Sequence, residues 1–329
     1  IVSAATMVLS LVNTVAVLGF SGCAVMYSLF AMPVISLTKL CGLLKTYSFR
    51  ANLTGKVAIT GANTGIGKST ARLLASNGAT VILACRSLER ANEAVKDISA
   101  GMESSALCKK DSSNDPPGTV VAMQLDLSDL RSVRSFASTF TKSYGKLDIL
   151  VNNAGLALVS PGSPKRTAQG IEIIFGTNFV GPFALTLLLM DLLKASAAGR
   201  IVNLSSILHR FASRDVARSA SGENESHGYE DSKLAMVLFT RELRRRLAGT
   251  RVVATAVNPG VVASDIGRVI HALPIIGALF RAFCSAFALT VEQGAAVSAA
   301  AAAAPRPAGE EDGLYLQPYF LPLGLGLPF

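Results

Sequence analysis

Short apolar segments alternate with helical segments along most of the chain, and this alternation limits the folds it can adopt. Strands are predicted at Lys56–Thr60, Thr80–Cys85, Val120–Leu125, Leu147–Asn152, Arg200–Leu204 and Val252–Ala256. Helices are predicted between them, near 68–77, 88–98, 130–144, 171–195 and 229–247. The strands are rich in Val, Ile and Leu, which is typical of parallel strands buried on both faces. The pattern therefore predicts an α/β fold with a doubly wound parallel sheet.

The first part of the chain has a different composition. Residues 1–38 contain no Asp, Glu, Lys or Arg, and a bilayer core is crossed by about 20 apolar residues in a helix. We expect an N-terminal transmembrane helix in residues 1–38, a linker over 39–53, and a single folded domain over 54–329. A cleaved signal peptide is the alternative, although its apolar core is usually only about 7–15 residues long.

The charges that follow this apolar segment indicate its orientation. The first acidic residue of the chain is Glu89, and the basic residues before it include Lys39, Lys45, Arg50 and Lys56. Because positive flanks favour the cytosolic side of a membrane, we expect the folded domain to face the cytosol, on the endoplasmic reticulum or another organelle.

The overall charge is strongly positive, with 31 Lys and Arg against 22 Asp and Glu. No basic stripe is interleaved with aromatic residues, so nucleic-acid binding is not expected. Attraction to anionic lipid and to a phosphorylated cofactor explains the balance better. The five cysteines are scattered without a Cys-x-x-Cys pair, which argues against a disulfide framework and against a bound metal such as zinc.

A glycine-rich turn stands where the first strand passes into the first helix. Glycines in such a turn allow the backbone to approach a pyrophosphate, which the helix N-terminus then stabilises. The pattern favours a Rossmann-like dinucleotide site over an ordinary strand–helix turn. The residues expected to bind the cofactor here are Gly61, Asn63, Thr64, Gly65, Ile66 and Gly67.

The end of the second strand indicates which dinucleotide is bound. An acidic residue at this point would bind the ribose hydroxyls of NAD, but the chain has Ala84-Cys-Arg-Ser87 instead. Arg86 can pair with a 2′-phosphate, so NADP(H) is the predicted cofactor. A surface arginine without a ligand is the alternative interpretation.

Tyr229 and Lys233 are four residues apart in a helical segment. This spacing places both side chains on one face. An ammonium group near a phenol favours the phenolate and lowers its pKa. The pair is therefore a candidate for exchanging a proton with a carbonyl or alcohol oxygen.

Together these motifs resemble the short-chain dehydrogenase/reductase family across about residues 54–320. Thr60–Gly67 is similar to its glycine turn, and Asn152-Asn-Ala-Gly155 to its Asn-Asn-Ala-Gly motif. The resemblance implies a catalytic tetrad of Asn178, Ser206, Tyr229 and Lys233. It also implies further cofactor contacts at Asp126, Leu127, Asn153, Ala154, Gly155, Tyr229, Lys233, Pro259, Gly260, Val262 and Ser264.

Within that family the chain resembles the retinol dehydrogenase-like group. The segments that carry this likeness are Ile82–Arg86, Arg200–Ser206 and Ser232-Lys-Leu-Ala235, together with the apolar N-terminus and the apolar stretch 266–291. The likeness implies hydride transfer between NADP(H) and a lipophilic carbonyl or alcohol, such as a retinoid, a steroid or another lipid aldehyde or ketone. Stretch 266–291 is interpreted as a substrate lid or a membrane-facing segment, with core packing as the alternative. The family also allows a homo-oligomer.

The resemblance further implies a role for each catalytic residue. Tyr229 would be the general acid in reduction and the general base in oxidation, while Lys233 lowers its pKa and holds the nicotinamide ribose. Ser206, preferred over its neighbour Ser205, would bind the substrate oxygen. Asn178 would hold a water that links Lys233 to solvent. A catalytic role for His209 is not favoured.

Three features leave alternatives open. Residues 100–118 are polar and predicted to form a surface loop, longer than the resemblance implies. Glu230-Asp-Ser232, between Tyr229 and Lys233, is similar to protochlorophyllide reductases and suggests a tetrapyrrole-type reductase as an alternative. A non-catalytic, NADP(H)-binding regulatory protein is a further alternative, which the complete tetrad disfavours.

Overall fold

A seven-stranded parallel sheet lies at the centre of the structure. The computed structural model describes residues 50–61, 63–104, 117–213, 215–221, 228–263, 288–303 and 315–316. The strands are β1 (Val57–Gly61), β2 (Thr80–Cys85), β3 (Val120–Gln124), β4 (Ile149–Asn152), β5 (Arg200–Leu204), β6 (Val253–Val257) and β7 (Tyr315–Leu316). Their order is β3-β2-β1-β4-β5-β6-β7, with every neighbouring pair parallel. This confirms the predicted doubly wound, Rossmann-like sheet.

Helices cover both faces of this sheet. They are α1 (Gly65–Ser76), α2 (Leu88–Ser104), α3 (Leu130–Tyr144), α4 (Ile173–Phe175), α5 (Gly181–Leu188), α6 (Met190–Ala195), α7 (Ala217–Ser221), α8 (Gly228–Arg246) and α9 (Val291–Ala303). Alternate residues of a strand point to opposite faces. In β2, Val81 and Leu83 therefore join the core beneath α1, α2 and α9, while Ile82 and Ala84 join the core beneath α3, α5 and α8.

Helix α3 shows how local sequence positions these elements. The Asp129 side chain accepts a hydrogen bond from the Arg131 amide and caps the first turn, and Gly145 ends the helix in the left-handed conformation at φ 63°. Both are preferred end residues. The buried residues Val133, Phe136, Ala137 and Phe140 lie at helical spacing, so one face of the helix packs on the sheet.

The predicted long helix over 171–195 is wrong in its continuity. Helix α4 passes through a π turn at Gly176–Val180 into α5, and the chain leaves helical geometry again at Leu189 before α6. Hydrophobic spacing does not reveal such an insertion, because the apolar residues continue through it. Gly181 follows the turn, and an added Cβ there would lie 2.4 Å from the carbonyl oxygen of Leu127. The close approach of the β3 loop thus needs a glycine at this point.

Several predicted segments lie partly or wholly outside the described residues. These are the apolar segment 1–38, the linker up to residue 49, and residues 264–287, which include Ser264. Of the predicted loop 100–118, the first five residues belong to α2, while 105–116 lie outside the description. Within the described ranges, no helix combines the length and apolar character needed to span a membrane.

The strand order reverses between β1 and β4, and this point locates the functional site. The chain leaves β1 toward β2 on one side, while β4 leads toward β5 on the other. The loops after the two strands therefore diverge at the carboxyl edge of the sheet and open a crevice, which is where doubly wound folds bind ligands.

Candidate active site

The glycine turn after β1 lies directly against the loop after β4. An added Cβ at Gly61 would lie 2.8 Å from the Cβ of Ala154 and 3.2 Å from its backbone nitrogen. Asn153 donates from Nδ2 to the Gly61 carbonyl at 2.6 Å. Gly65 begins α1 with φ 57°, a conformation that favours glycine. Two of the predicted motifs thus form one surface.

The other residues of the turn surround the N-terminus of α1. Thr64 is exposed and extended immediately before the helix, and its side chain makes no capping hydrogen bond. Ile66 packs against the core beneath α1, and Gly67 is buried. The first turn of α1 contains no acidic residue, so the helix N-terminus is electrostatically suited to a phosphate.

A narrow cleft continues from this turn between β1, β2 and β4. Its walls include Ala84, Leu125, Leu127, Asn153 and Ala154. The Oδ1 atom of Asn153 is buried without a partner in the described structure, and such a buried acceptor is unusual without a ligand. Glycine backbone, apolar walls and a free acceptor together fit a dinucleotide.

Asp126 and Arg86 lie at the carboxyl edge of the sheet, after β3 and β2. The Asp126 carboxylate accepts from the Ser128 amide at 2.9 Å and from its hydroxyl at 2.6 Å. These bonds fix the loop that carries Leu127. Arg86 is exposed directly after β2, and its carbonyl accepts from Gln124 Nε2 at 3.3 Å. A guanidinium is therefore available at the edge of the crevice.

Ser206, Tyr229 and Lys233 meet where β5 ends against α8. The Ser206 side chain lies close to the Tyr229 phenol, and its hydroxyl caps a 3-10 turn by accepting from the Leu208 amide at 3.3 Å. Lys233 Nζ donates to the Leu204 carbonyl at 3.0 Å and lies 5.5 Å from the centre of the Tyr229 ring. The three groups predicted from sequence thus lie within one small region.

The two alternative side chains next to Ser206 have other partners. Ser205 is 3% exposed, and its hydroxyl donates to the Lys233 carbonyl at 2.9 Å. His209 is buried with Nδ1 2.6 Å from the Ser206 carbonyl. Burial lowers the pKa of His209, the bond to Ser206 opposes this effect, and the nearby Arg210 adds to it. Both residues support the position of Ser206 rather than replace it.

Asn178 lies in the π turn and is 1% exposed. Its Oδ1 accepts from the Leu156 amide at 2.7 Å, and its Nδ2 donates to the Leu156 carbonyl at 2.8 Å and to Ser232 Oγ at 3.1 Å. The Ser232 hydroxyl then donates to the Tyr229 carbonyl at 2.7 Å. Both amide hydrogens therefore have protein partners. In this geometry the side chain positions α8.

The electrostatics of Tyr229 and Lys233 differ from the sequence prediction. Burial raises the pKa of Tyr229 to about 12; the Ser206 hydrogen bond opposes this rise and the charge of Glu230 adds to it. Burial also lowers the pKa of Lys233 to about 8. The expected lowering of the tyrosine pKa by the lysine is therefore not observed, because burial disfavours the charged form of both groups.

A buried polar network behind the site was not predicted. Asn152 Nδ2 donates to Thr186 Oγ1 at 3.0 Å and to Asn203 Oδ1 at 2.8 Å, and Asn203 Nδ2 donates to Thr240 Oγ1 at 2.9 Å. The network joins β4 and β5 to α5 and α8. Asn203, a polar residue among the apolar residues of β5, was the signal available in the sequence.

The remaining predicted cofactor contacts lie after β6. Gly260 has φ 81°, and its amide donates to Asn258 Oδ1 at 3.1 Å. Val262 forms a β-bridge with Leu289. An added Cβ at Gly294 would lie 2.6 Å from Cγ2 of Val262. The loop that begins at Pro259 is therefore held against α9. Leu289 is 1% exposed, so the described end of stretch 266–291 packs in the core.

Comparison with known proteins agrees with this geometry. The sequence model of the short chain dehydrogenase family matches residues 56–272. Human (Homo sapiens) retinol dehydrogenase 14 is 40% identical over 255 residues, 77% of this chain and 75% of that protein. Retinol dehydrogenase 12 of Mus musculus is 44% identical over 230 residues, which are 69% of this chain and 67% of that protein. A solved structure of an uncharacterised protein from Mycobacterium Paratuberculosis has a TM-score of 0.60 and 29% identity, and covers 84% of this chain and 87% of its own.

These matches confirm the resemblance to the retinol dehydrogenase-like group. They cover both halves of the site, since the matched range includes the glycine turn and the Ser206, Tyr229 and Lys233 cluster. The chain belongs to the short-chain dehydrogenase family, and is an oxidoreductase of alcohol and carbonyl groups that uses a nicotinamide cofactor.

Proposed function

We propose that the protein transfers a hydride between NADP(H) and a lipophilic carbonyl or alcohol, such as a retinoid, a steroid or another lipid aldehyde or ketone. The observation that carries this proposal is the grouping of Ser206, Tyr229 and Lys233 beside the loop after β4, where a Cβ added at Gly155 would lie 3.4 Å from Lys233 Nζ. The retinol dehydrogenases among the relatives support the lipophilic substrate class.

Each residue of the cluster then has a defined task. The bound nicotinamide supplies or accepts the hydride, and the protein supplies orientation and proton transfer. Tyr229, with its pKa raised to about 12, stays protonated at neutral pH and can donate a proton to a carbonyl oxygen. Ser206 donates a hydrogen bond to the same oxygen as negative charge develops on it.

Lys233 and Asn178 act around this pair. Lys233, with a pKa of about 8, exchanges protons near neutral pH, and its Nζ lies 5.5 Å from the centre of the Tyr229 ring. It would also hold the nicotinamide ribose. Asn178 positions the helix that carries both residues through Ser232. The cofactor contacts proposed for the glycine turn, Asn153–Gly155, Asp126, Leu127 and the loop Pro259–Ser264 complete the site.

We propose NADP(H) rather than NAD(H) because of Arg86. It is exposed at the end of β2, where a carboxylate would repel a 2′-phosphate, and its guanidinium suits bidentate phosphate binding. Replacing Arg86 by Ala is expected to raise the KM for NADPH at least about tenfold, the loss of one charge-assisted phosphate contact, with little change for NADH. An unchanged ratio of the two KM values would contradict the assignment.

The membrane-related predictions remain part of this proposal. Residues 1–38 would anchor the protein, with the domain over 54–329 facing the cytosol and stretch 266–291 near the lipid or over the substrate. A lipophilic substrate would then reach the site from the bilayer. Protease protection of epitope tags on both sides of residues 1–38, in sealed microsomes, tests the anchor and its orientation. A homo-oligomer is proposed as well, and light scattering in detergent tests it.

The decisive experiment is oxidation of NADPH by the detergent-solubilised protein with aldehydes and ketones, retinal and steroids included. Tyr229→Phe is expected to lower turnover at least about a hundredfold, since general acid catalysis typically contributes 10²–10⁴, while NADPH binding changes little. Tyr144→Phe is the matched control, because Tyr144 stacks on Phe140 in α3. Activity retained by Tyr229→Phe would exclude the proposed mechanism.

The two alternatives receive no support from the structure. Asp231 and Ser232, which suggested a tetrapyrrole-type reductase, are 0% exposed and hydrogen-bonded within the protein, so they do not face a substrate. A regulatory protein that only binds the dinucleotide would not need the Ser206–Tyr229 pair.

A further inference from the structure

The carboxylate of Asp231 is buried next to the catalytic residues and holds a neighbouring segment. Asp231 lies two residues after Tyr229 in α8 and is 0% exposed. It accepts from the Ser213 amide at 2.6 Å, from the Ser213 hydroxyl at 2.7 Å, and from the Ser219 hydroxyl. Ser213 and Ser219 belong to one stretch of chain, residues 213 and 215–221, here named the serine segment.

The serine segment is also held from its other side. Arg166 donates from Nη1 to the Ser221 carbonyl at 3.0 Å and to the Gly170 carbonyl at 2.8 Å. The amide of Glu172 donates to the Ala220 carbonyl at 3.2 Å. Glu172 in turn caps α4, which leads into the π turn of Asn178. The segment therefore connects the helix of Tyr229 with the turn of Asn178.

A buried carboxylate makes this connection specific. A charged group removed from water is stable only when donors replace its hydration, and hydrogen bonds to a charged group contribute about 1.5–3 kcal/mol each. If the serine segment moved away, Asp231 would lose several donors inside the protein. A neutral apolar residue at this position would impose no such requirement on the segment.

The location of the segment gives this bond network a functional meaning. The segment follows Ser206 by way of the 3-10 turn Ile207–Phe211 and precedes Tyr229 in the chain. The segment is therefore joined to Ser206 through this turn and to the helix of Tyr229 through Asp231. We propose that Asp231 is a positioning residue: through Ser213 and Ser219 it holds the serine segment as a wall of the substrate site. The substrate part of this inference rests on the proposed function.

Limited proteolysis measures the segment without any assay of activity. Arg218 is exposed within α7, so trypsin cleavage after Arg218, followed by mass spectrometry, reports opening of the segment. Asp231→Asn keeps the size of the side chain but removes its charge, and Ser219→Ala removes a single donor. Both are expected to speed this cleavage at least about tenfold, as expected from the loss of one hydrogen bond to a charged group. Glu242→Gln, on the exposed part of α8, is the control and should not change the rate.

Kinetics then test the role in the substrate site. The same variants are expected to raise the KM for retinal about tenfold, with kcat lowered less than KM is raised and the NADPH dissociation constant unchanged, because the bonds lost lie away from the dinucleotide cleft. Thermal unfolding of Ser219→Ala identifies a folded variant if Asp231→Asn does not fold.

The outcomes separate the two proposals. Unchanged cleavage in folded variants would overturn the inference. Faster cleavage with an unchanged KM in an active enzyme would also overturn it, since the segment would then not form the substrate wall. Faster cleavage in variants of a protein whose wild type reduces no carbonyl would support the bond network and refute the proposed function.

Discussion

Replacement of Lys233 by Met should change how the stability of the protein depends on pH. Lys233 is 4% exposed, and burial lowers its pKa from 10.5 to about 8. Methionine has a similar length and no charge, so it removes the ionisable group while retaining most of the packing. Loss of the hydrogen bond to the Leu204 carbonyl lowers the free energy of unfolding by the same amount at every pH.

The sign follows from proton binding in the two states. Between pH 8 and 10.5 the unfolded chain holds a proton that the folded protein has released, so the free energy of unfolding rises with pH. The destabilisation caused by Lys233 is complete below pH 8 and absent above pH 10.5. A difference of about 2.5 pKa units corresponds to about 3 kcal/mol. The free energy of unfolding therefore rises by about 2 kcal/mol of this amount between about pH 7 and 9.5.

Urea unfolding at about pH 7 and about pH 9.5 measures this effect. The free energy of unfolding of the wild type, minus that of Lys233→Met, should increase by about 2 kcal/mol between the two pH values. Lys142→Met, in the last turn of α3, is the control, and its difference from the wild type should stay constant. A difference for Lys233→Met that does not change with pH would show that burial does not perturb the lysine.

Two further predictions concern the opposite edge of the sheet and the cofactor turn. Burial opposes ionisation of Asp148, but hydrogen bonds from Ser196, the Val57 amide and Lys56 outweigh it and lower the pKa. Asp148→Asn should therefore lower the free energy of unfolding by about 1–3 kcal/mol at about pH 7. Urea unfolding should show this loss shrinking as the pH falls toward about 3. Gly61→Ala should weaken NADPH binding, measured by fluorescence, because its Cβ would lie 2.8 Å from that of Ala154; adding Ala154→Gly should restore part of the affinity, and no restoration would mean that another contact is responsible.

Local patterns were sufficient to predict the fold class. Burial on both faces requires apolar strands, and a strand that leads into a phosphate-binding helix requires glycine, so both leave a readable signal in the sequence. The resemblance then placed Ser206, Tyr229 and Lys233, and the structure brings these three side chains together. The strand ends differ from the prediction by one or two residues, since hydrogen bonding rather than hydrophobicity sets them.

Tertiary structure alone decided the electrostatics and the supporting contacts. The spacing of Tyr229 and Lys233 predicts their proximity, but the direction of each pKa shift depends on how much protein surrounds the charge, which spacing does not contain. Likewise, Asp231 and its serine partners are separated by 18 and 12 residues in the chain. Their contact exists because the tertiary fold brings the serine segment back against α8, the helix that carries Tyr229.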